Sequence, residues 1–435
     1  MAAAEQHYNG ISTKNILFLS DLEPDTDNYQ GLERIKKIYD NLASENIHLA
    51  IYGGDYSSQT LSKQQIRLKH IRSEAPVARV RAIARLQGDY TLHELLLKMK
   101  KDPSKYSKKI QRAIETYFRL EDISVENAYE NFKLSWDIHQ KKLPNIPIYA
   151  ILGNHDPQRL GEKIEQLKGV TYVRPLTLYN VFGLTLAGLP SSWASSQDMV
   201  DFEGKPGWMA EYYGIFKGRP MTQKDYNKAM TALSWLDKNN PDLLVGHTPP
   251  LNIGDGGGQF GDLLQLLHLE NRRRTQKKDL VAILNGHVHE DHGIRFLEED
   301  SFPIINAASA GASPDKTGVY LTAAINPQQK RLDKLKLNKI KQEGSTYLQE
   351  TLQEYERDQN GKLIFVGGSP ITDMPPQKPK EERKTKPIHL GGPSISDQLT
   401  QRKPQTQLIQ DRYNQEIFPF PSQQPKQPVE EVTQA

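Results

Sequence analysis

Five short apolar runs in this chain each end beside residues of the kind that bind metal ions, and no other sequence feature restricts the fold so strongly. The runs are Asn15–Ser20, His48–Tyr52, Ile146–Leu152, Asp242–Val245 and Leu280–Leu284. Short and rich in Ile, Leu, Val and Tyr, they suit strands buried on both faces. Asp21 and Glu23 follow the first, and Gly53-Gly54-Asp55 follows the second. Gly153-Asn154-His155-Asp156 follows the third, Gly246-His247 the fourth, and Gly286-His287-Val288-His289 the fifth. Glycine lets the backbone turn sharply and present the next side chain. Between the runs lie amphipathic stretches of helical length. Gly31–Leu42 places Leu32, Ile35, Ile38 and Leu42 at helix spacing, and Thr222–Lys238 opens on a Thr222/Asp225 pair close to a capping box. This alternation predicts a layered α/β fold whose strand ends converge on one rim.

The residue types at that rim define a chemistry. The chain has no cysteine, so it has no disulfide framework, thiolate metal site or cysteine nucleophile. Any metal must be held by His, Asp, Glu or Asn, and hard oxygen donors mixed with imidazoles suit Mn, Fe, Zn or Mg. Two divalent cations side by side need a carboxylate that touches both.

The order D-x-(H), G-D, G-N-H-D, G-H, G-H-x-H resembles the pattern of the calcineurin-like metallophosphoesterase superfamily, from about Asn15 to Ile325 once an insertion is set aside. The resemblance implies a β-sandwich of mixed sheets flanked by helices, with Val181–Leu189, Ile304–Ala307 and Gly318–Ala324 as later strands. It also implies two divalent metal ions, manganese foremost, with Mg, Fe and Zn as alternatives. Asp55 matches the bridging aspartate, and Asp21 and His289 match ligands of the first metal. Asn154, His247 and His287 match ligands of the second. His155 matches the histidine that contacts phosphate and protonates the leaving oxygen, and Asp156 completes that catalytic motif.

Two departures stand out. Asp21-Leu22-Glu23 replaces Asp-x-His, so Glu23 either ligates the first metal, making that site more anionic and favouring Mn or Mg over Zn, or points to solvent. Ser58 and Gln59 stand where phosphoprotein phosphatases carry an orienting aspartate and a phosphate-binding arginine. Arg159 is the candidate substitute for the phosphate contact, against a reading as a solvated helix residue.

The expected organisation is a core of residues 1–60 and 143–345, a helical cap insertion over 61–142, a C-terminal helix or extension over 346–366, and a disordered Pro/Gln/Lys-rich tail over 367–435. The cap is strongly basic: Lys63–Arg119 holds 15 Lys/Arg against 5 Asp/Glu, although the whole chain is only +3. Such a cap either draws in a polyanionic substrate or is a solvated, self-packing face. Eleven of the 27 prolines lie at or beyond Pro370, a composition that cannot offset its ordering entropy. Tyr413–Pro421 is the tail's aromatic cluster and a candidate for docking a protein partner. Met1–Asn9 has no apolar segment of a signal peptide, and no run is long enough for a membrane span. The expected location is therefore cytoplasmic, with a translocated bacterial effector as the alternative.

The functional expectation is a metal-dependent phosphoric ester hydrolase, phosphatase or phosphodiesterase, acting on a phosphorylated substrate. The alternative is an interaction scaffold of the same fold that has lost turnover.

Overall fold

The computed structural model describes residues 13–24, 26–42, 45–56, 99–153, 156–157, 159–189, 223–250, 253, 262–275, 280–296, 302–311, 317–344 and 346–369. All lie in one compact unit. The first apolar run is strand β1 (Lys14–Leu19), followed by helix α1 (Thr26–Asn41) and β2 (Ile47–Tyr52). The long helix α2 (Lys108–Lys142) leads into β3 (Ile148–Ala150), then α3 (Leu160–Ile164) and β4 (Val170–Tyr172). Next come β5 (Leu178–Val181), β6 (Leu184–Leu189), α4 (Gln223–Asn239), β7 (Leu243–Gly246), α5 (Leu263–Arg274) and β8 (Ala282–Asn285). Strands β9 (Gly293–Phe296), β10 (Pro303–Asn306), β11 (Thr317–Asn326), β12 (Arg331–Glu343), β13 (Thr346–Arg357) and β14 (Leu363–Gly368) complete the order.

These strands make two mixed sheets. One has the order β14-β13-β12-β11-β1-β2-β3-β4, the other β5-β6-β7-β8-β10-β9. Strands β1 to β4 run parallel, as do β6, β7, β8 and β10. Alternation along each strand sorts side chains between two cores. Ile16 and Phe18 of β1, with Leu49 and Ile51 of β2, join Val245, Leu284 and Ile305 in a core lined by both sheets. Leu17, Leu19, Ala50 and Tyr52 point the other way, toward Ile35 and Ile38 of α1, Phe132 of α2 and Leu160 of α3. The first sheet is thus buried on both faces at its centre, which is why its parallel strands read as unbroken apolar runs.

Two expectations change. Val181–Leu189 is not one strand: a turn at Phe182 (φ 56) and Gly183 (φ 90) separates β5 from β6. The 346–366 segment is not a helix but β13 and β14, which pair antiparallel with β12 and with each other. Register shifts between Leu337 and Asn338 and between Glu354 and Tyr355 reset the two-residue alternation, so the strand period is hidden in the sequence. Of the cap, residues 99–142 are described, as a short 3-10 turn (Pro103–Lys105) and α2. The rest of the cap lies outside the described residues, as does the tail from residue 370. No helix among the described residues is long and apolar enough to cross a membrane.

Candidate metal centre

The parallel strands β1, β2, β7 and β8 all end at the same rim, and each delivers a potential metal donor there. Backbone bonds first fasten the loops together. Asp21 N–H donates to Gly54 O (2.9 Å), Glu23 N–H to Asp55 O (3.3 Å), and Gly286 N–H to His247 O (2.8 Å). Two groups of donors result. One donor atom from each of Asp21, Glu23 and His289 lies within 4.8 Å of the other two, and the same holds for Asp55, His247 and His287. Asp21, Glu23, Asp55 and His247 are almost fully buried.

The backbone is strained where the ligands sit. Nine non-glycine residues among those described have positive φ, and four of them are Asp21, Glu23, Asp55 and His287. Each costs roughly 1–2 kcal/mol against the right-handed conformation, so the surrounding loops must hold them in place. Glycines provide the clearance. A Cβ at Gly153 would lie 2.0 Å from Asp55 Oδ1, and one at Gly286 would lie 1.8 Å from Ser20 Oγ and 2.5 Å from Asp21 Oδ2.

Hydrogen bonds aim the ligands. His247 Nδ1 donates to Gly53 O at 2.7 Å, leaving Nε2 directed at Asp55 Oδ2, 3.1 Å away. His289 Nε2 lies 3.1 Å from Asp21 Oδ1, while Asp21 Oδ2 accepts from His287 N–H at 2.9 Å. Burial opposes charge on His247, yet the Asp55 carboxylate outweighs it and holds the imidazole pKa up to about 10. Burial likewise opposes ionisation of Asp21, and the hydrogen bond from His289 overcomes it, holding that carboxyl below its ordinary range. His289 is raised in turn, burial being outweighed by Asp21.

Three buried carboxylates facing three imidazoles form a donor set suited to hard divalent cations. Buried carboxylates are costly unless paired, and here Asp55 raises the His247 pKa and Asp21 that of His289, so these imidazoles favour their charged form beside the carboxylates. A cation in each group would take over that balance and displace those protons. The residues present therefore fit a pair of metal ions, and Glu23 stands within its group rather than in solvent.

Asp156, expected beside the catalytic histidine, sits behind the ligands. Its Oδ2 accepts from the backbone N–H groups of Asp55 and Gly153, both at 2.8 Å, and its Oδ1 accepts from Tyr56 N–H at 2.9 Å. Burial and the nearby Asp55 charge push its carboxyl up to about 7. Nothing in the sequence pattern distinguished this clamp from a site acid. Arg159, the candidate phosphate contact, is ion-paired with Asp122 on α2. Asn154 and His155 lie outside the described residues. Arg34 is a further element missed from sequence: fully buried on α1, its guanidinium donates to Gly311 O, and Gly311 N–H donates to Asp21 O at 3.0 Å. A charged residue inside an amphipathic helix reads as surface, so only the packing shows it bracing the Asp21 turn.

Two mixed sheets with helices outside and a ligand-bearing rim between them define a metallophosphoesterase fold. The chain belongs to the calcineurin-like phosphoesterase family, whose model matches residues 14–291. Among solved structures it is similar to a protein from Thermus thermophilus (12% identity, TM-score 0.35, covering 74% of this chain and 98% of that one). It is also similar to a dimetal phosphatase from Danio rerio (9%, 0.40, 74% and 95%) and to GAP50, the anchor in the inner membrane complex of Plasmodium (11%, 0.33, 82% and 90%). Likeness at that level carries no inference about activity. No curated protein matches the chain.

Proposed function

We propose that the protein is a metal-dependent phosphoester hydrolase working with two divalent ions. The observation that carries this reading is the pair of buried three-residue donor groups at one rim, Asp21/Glu23/His289 and Asp55/His247/His287. Asp55 belongs to the second donor group, and by the family pattern it would be the carboxylate shared with the first. Bound there, divalent ions supply a lowered pKa for water and neutralise charge on a phosphate. The chain's own residues do the rest. Gly53 O sets the His247 tautomer, and Asp156 holds the Asp55 and Gly153 loops in register as a positioning residue rather than an acid. The Asn154-His155 pair follows Gly153 directly, and we assign His155 to protonating the leaving oxygen and Asn154 to the second ion. Glu23 supplies the carboxylate that makes the first site anionic, which favours manganese or magnesium over zinc.

The test is hydrolysis of an activated phosphomonoester and an activated phosphodiester by the purified chain with Mn, Mg, Zn or chelator, beside His155→Ala. Metal-dependent turnover lost in the variant supports the assignment, and the preferred ester identifies the subclass. Folded protein that turns over neither ester with any metal sinks it and leaves an interaction scaffold of this fold.

A further inference from the structure

The described part of the cap carries a basic stripe on a helix that passes the metal rim. Helix α2 is fastened beside Asp55: Phe132 packs against Tyr56 with ring centroids 4.8 Å apart. Asp122 and Glu126 pair with Arg159, at the start of α3, and Lys163, in its last turn. The end of α1 meets the end of α2 through Tyr39–His139 and Asp40–Lys142, while Phe132, about two to three turns earlier, is level with Tyr56 beside Asp55. Read backwards, α2 therefore rises toward the rim, and its N-terminal half extends beyond Tyr56.

The face of α2 that meets α3 continues upward. At 3.6 residues per turn, Lys108, Arg112, Arg119, Asp122 and Glu126 fall within an arc of about 80°. At 1.5 Å per residue, Arg119, Arg112 and Lys108 stand about 5, 15 and 21 Å beyond Asp122 along the axis. All three are exposed, and none forms an ion pair among the described residues. Glu115 is the one acidic residue on this stretch of the stripe. Gln111 Nε2 donates to Pro103 O (2.6 Å) and Tyr106 O (2.8 Å), holding the preceding 3-10 turn, whose Lys105 pairs with Asp102 at 2.7 Å, against the start of α2. Residues 99–119 hold seven Lys/Arg against two Asp/Glu.

We propose that Lys108, Arg112 and Arg119 bind the chain of phosphates of a substrate that extends from the metal centre, contacting its backbone and not its bases. This rests on the phosphoesterase reading and names its substrate class, a chain of linked phosphates. A stripe of separated charges leading away from a phosphate-cleaving rim matches a linear polyanion better than a single phosphate. The exposed side chains on the stripe are charged rather than aromatic, so it offers no base-stacking platform.

The test uses the full chain with manganese and a labelled single-stranded oligoribonucleotide, read by fluorescence anisotropy, with inorganic polyphosphate as competitor. Three phosphate contacts give a log–log salt slope of about −2 for a single strand. The Lys108→Glu/Arg112→Glu/Arg119→Glu protein is expected to bind at least about tenfold more weakly with a flatter slope, while Lys37→Glu on α1 leaves binding unchanged. Binding of the oligonucleotide, of polyphosphate, or of both, lost on reversal of the stripe, supports the proposal and tells the sources apart. Failure to bind either, or binding indifferent to the triple reversal, overturns it. Hydrolysis of a small aryl phosphate by the same triple variant is measured in parallel. It is expected to match wild type, and its absence from the wild-type protein refutes the metal-centre reading independently of the stripe.

Discussion

At the scale of single residues, the centre is governed by charge held out of water. Glu23 is the residue most particular to this chain, since it stands within donor range of Asp21 and His289. Glu23→Gln keeps the shape and removes the charge, so manganese affinity of the first site is expected to fall at least about tenfold by calorimetric titration, with Glu23→His shifting preference toward zinc. His247 sets the pH behaviour. With its imidazole held up to about 10 by Asp55, the metal-free protein carries a proton there at neutral pH. That pair contributes stability fully present below the ordinary imidazole value of about 6.5. The contribution is lost as pH rises through the folded value. Metal must expel the proton, so apparent affinity should climb by up to about tenfold per pH unit between pH 7 and 9. Calorimetry in buffers of different ionisation enthalpy reads the released proton directly, and a buffer-independent heat would refute the coupling.

At the scale of elements, the rim depends on how loops are clamped. The Asp156 carboxylate joins the β2 and β3 loops through three backbone N–H groups. Asp156→Asn turns one acceptor into a donor facing those groups, and leaving a buried N–H unpaired costs about 1–3 kcal/mol. Urea unfolding should show that loss, together with weaker metal uptake because Asp55 moves with its loop. Helix α2 is anchored by Phe132, fully buried against Tyr52 and Tyr56. Phe132→Ala removes that wedge and is expected to cost about 3–5 kcal/mol, a drop visible in thermal unfolding. Lys101→Ala, exposed at the cap, should leave the unfolding midpoint in place.

At the scale of the whole molecule, the candidate donors come from segments as far apart as Asp21 and His289, so metal bound by them would cross-link both sheets. Manganese at about 100 times its dissociation constant should stabilise the fold by about 2.7 kcal/mol. Chelator should lower the unfolding midpoint by the corresponding shift, and a midpoint indifferent to manganese and chelator would mean that the donor groups do not load. The C-terminal strands close one side of the sandwich. Ile294 N–H on β9 donates to Gln353 Oε1 on β13 at 2.6 Å, and Phe296 packs on Tyr355 with centroids 5.2 Å apart. The sheet edge of β9 is thus covered by a side chain and a ring in place of another strand, one of the ways a protein keeps an edge from pairing with other chains.

What the sequence determined by itself was the order of buried strands and the potential donor that follows each. Those signals are local: a run of apolar residues, a glycine and a donor are adjacent in the chain, and Asp21, Asp55, His247, His287 and His289 could be named before any packing was known. The tertiary structure decided what depends on distant partners. It placed Glu23 inside its donor group, and it showed the Asp156 carboxylate clamping the Asp55 loop. It buried Arg34 beneath the Asp21 turn, and it paired Arg159 with Asp122. It also made strands of 346–368, where Glu- and Gln-rich sequence carries no clean strand period. There, long antiparallel pairing with β12, interrupted by register shifts, outweighs local preference. Local pattern determines which backbone is buried and where it turns, whereas the partner of a buried charge is chosen only when distant segments are brought together.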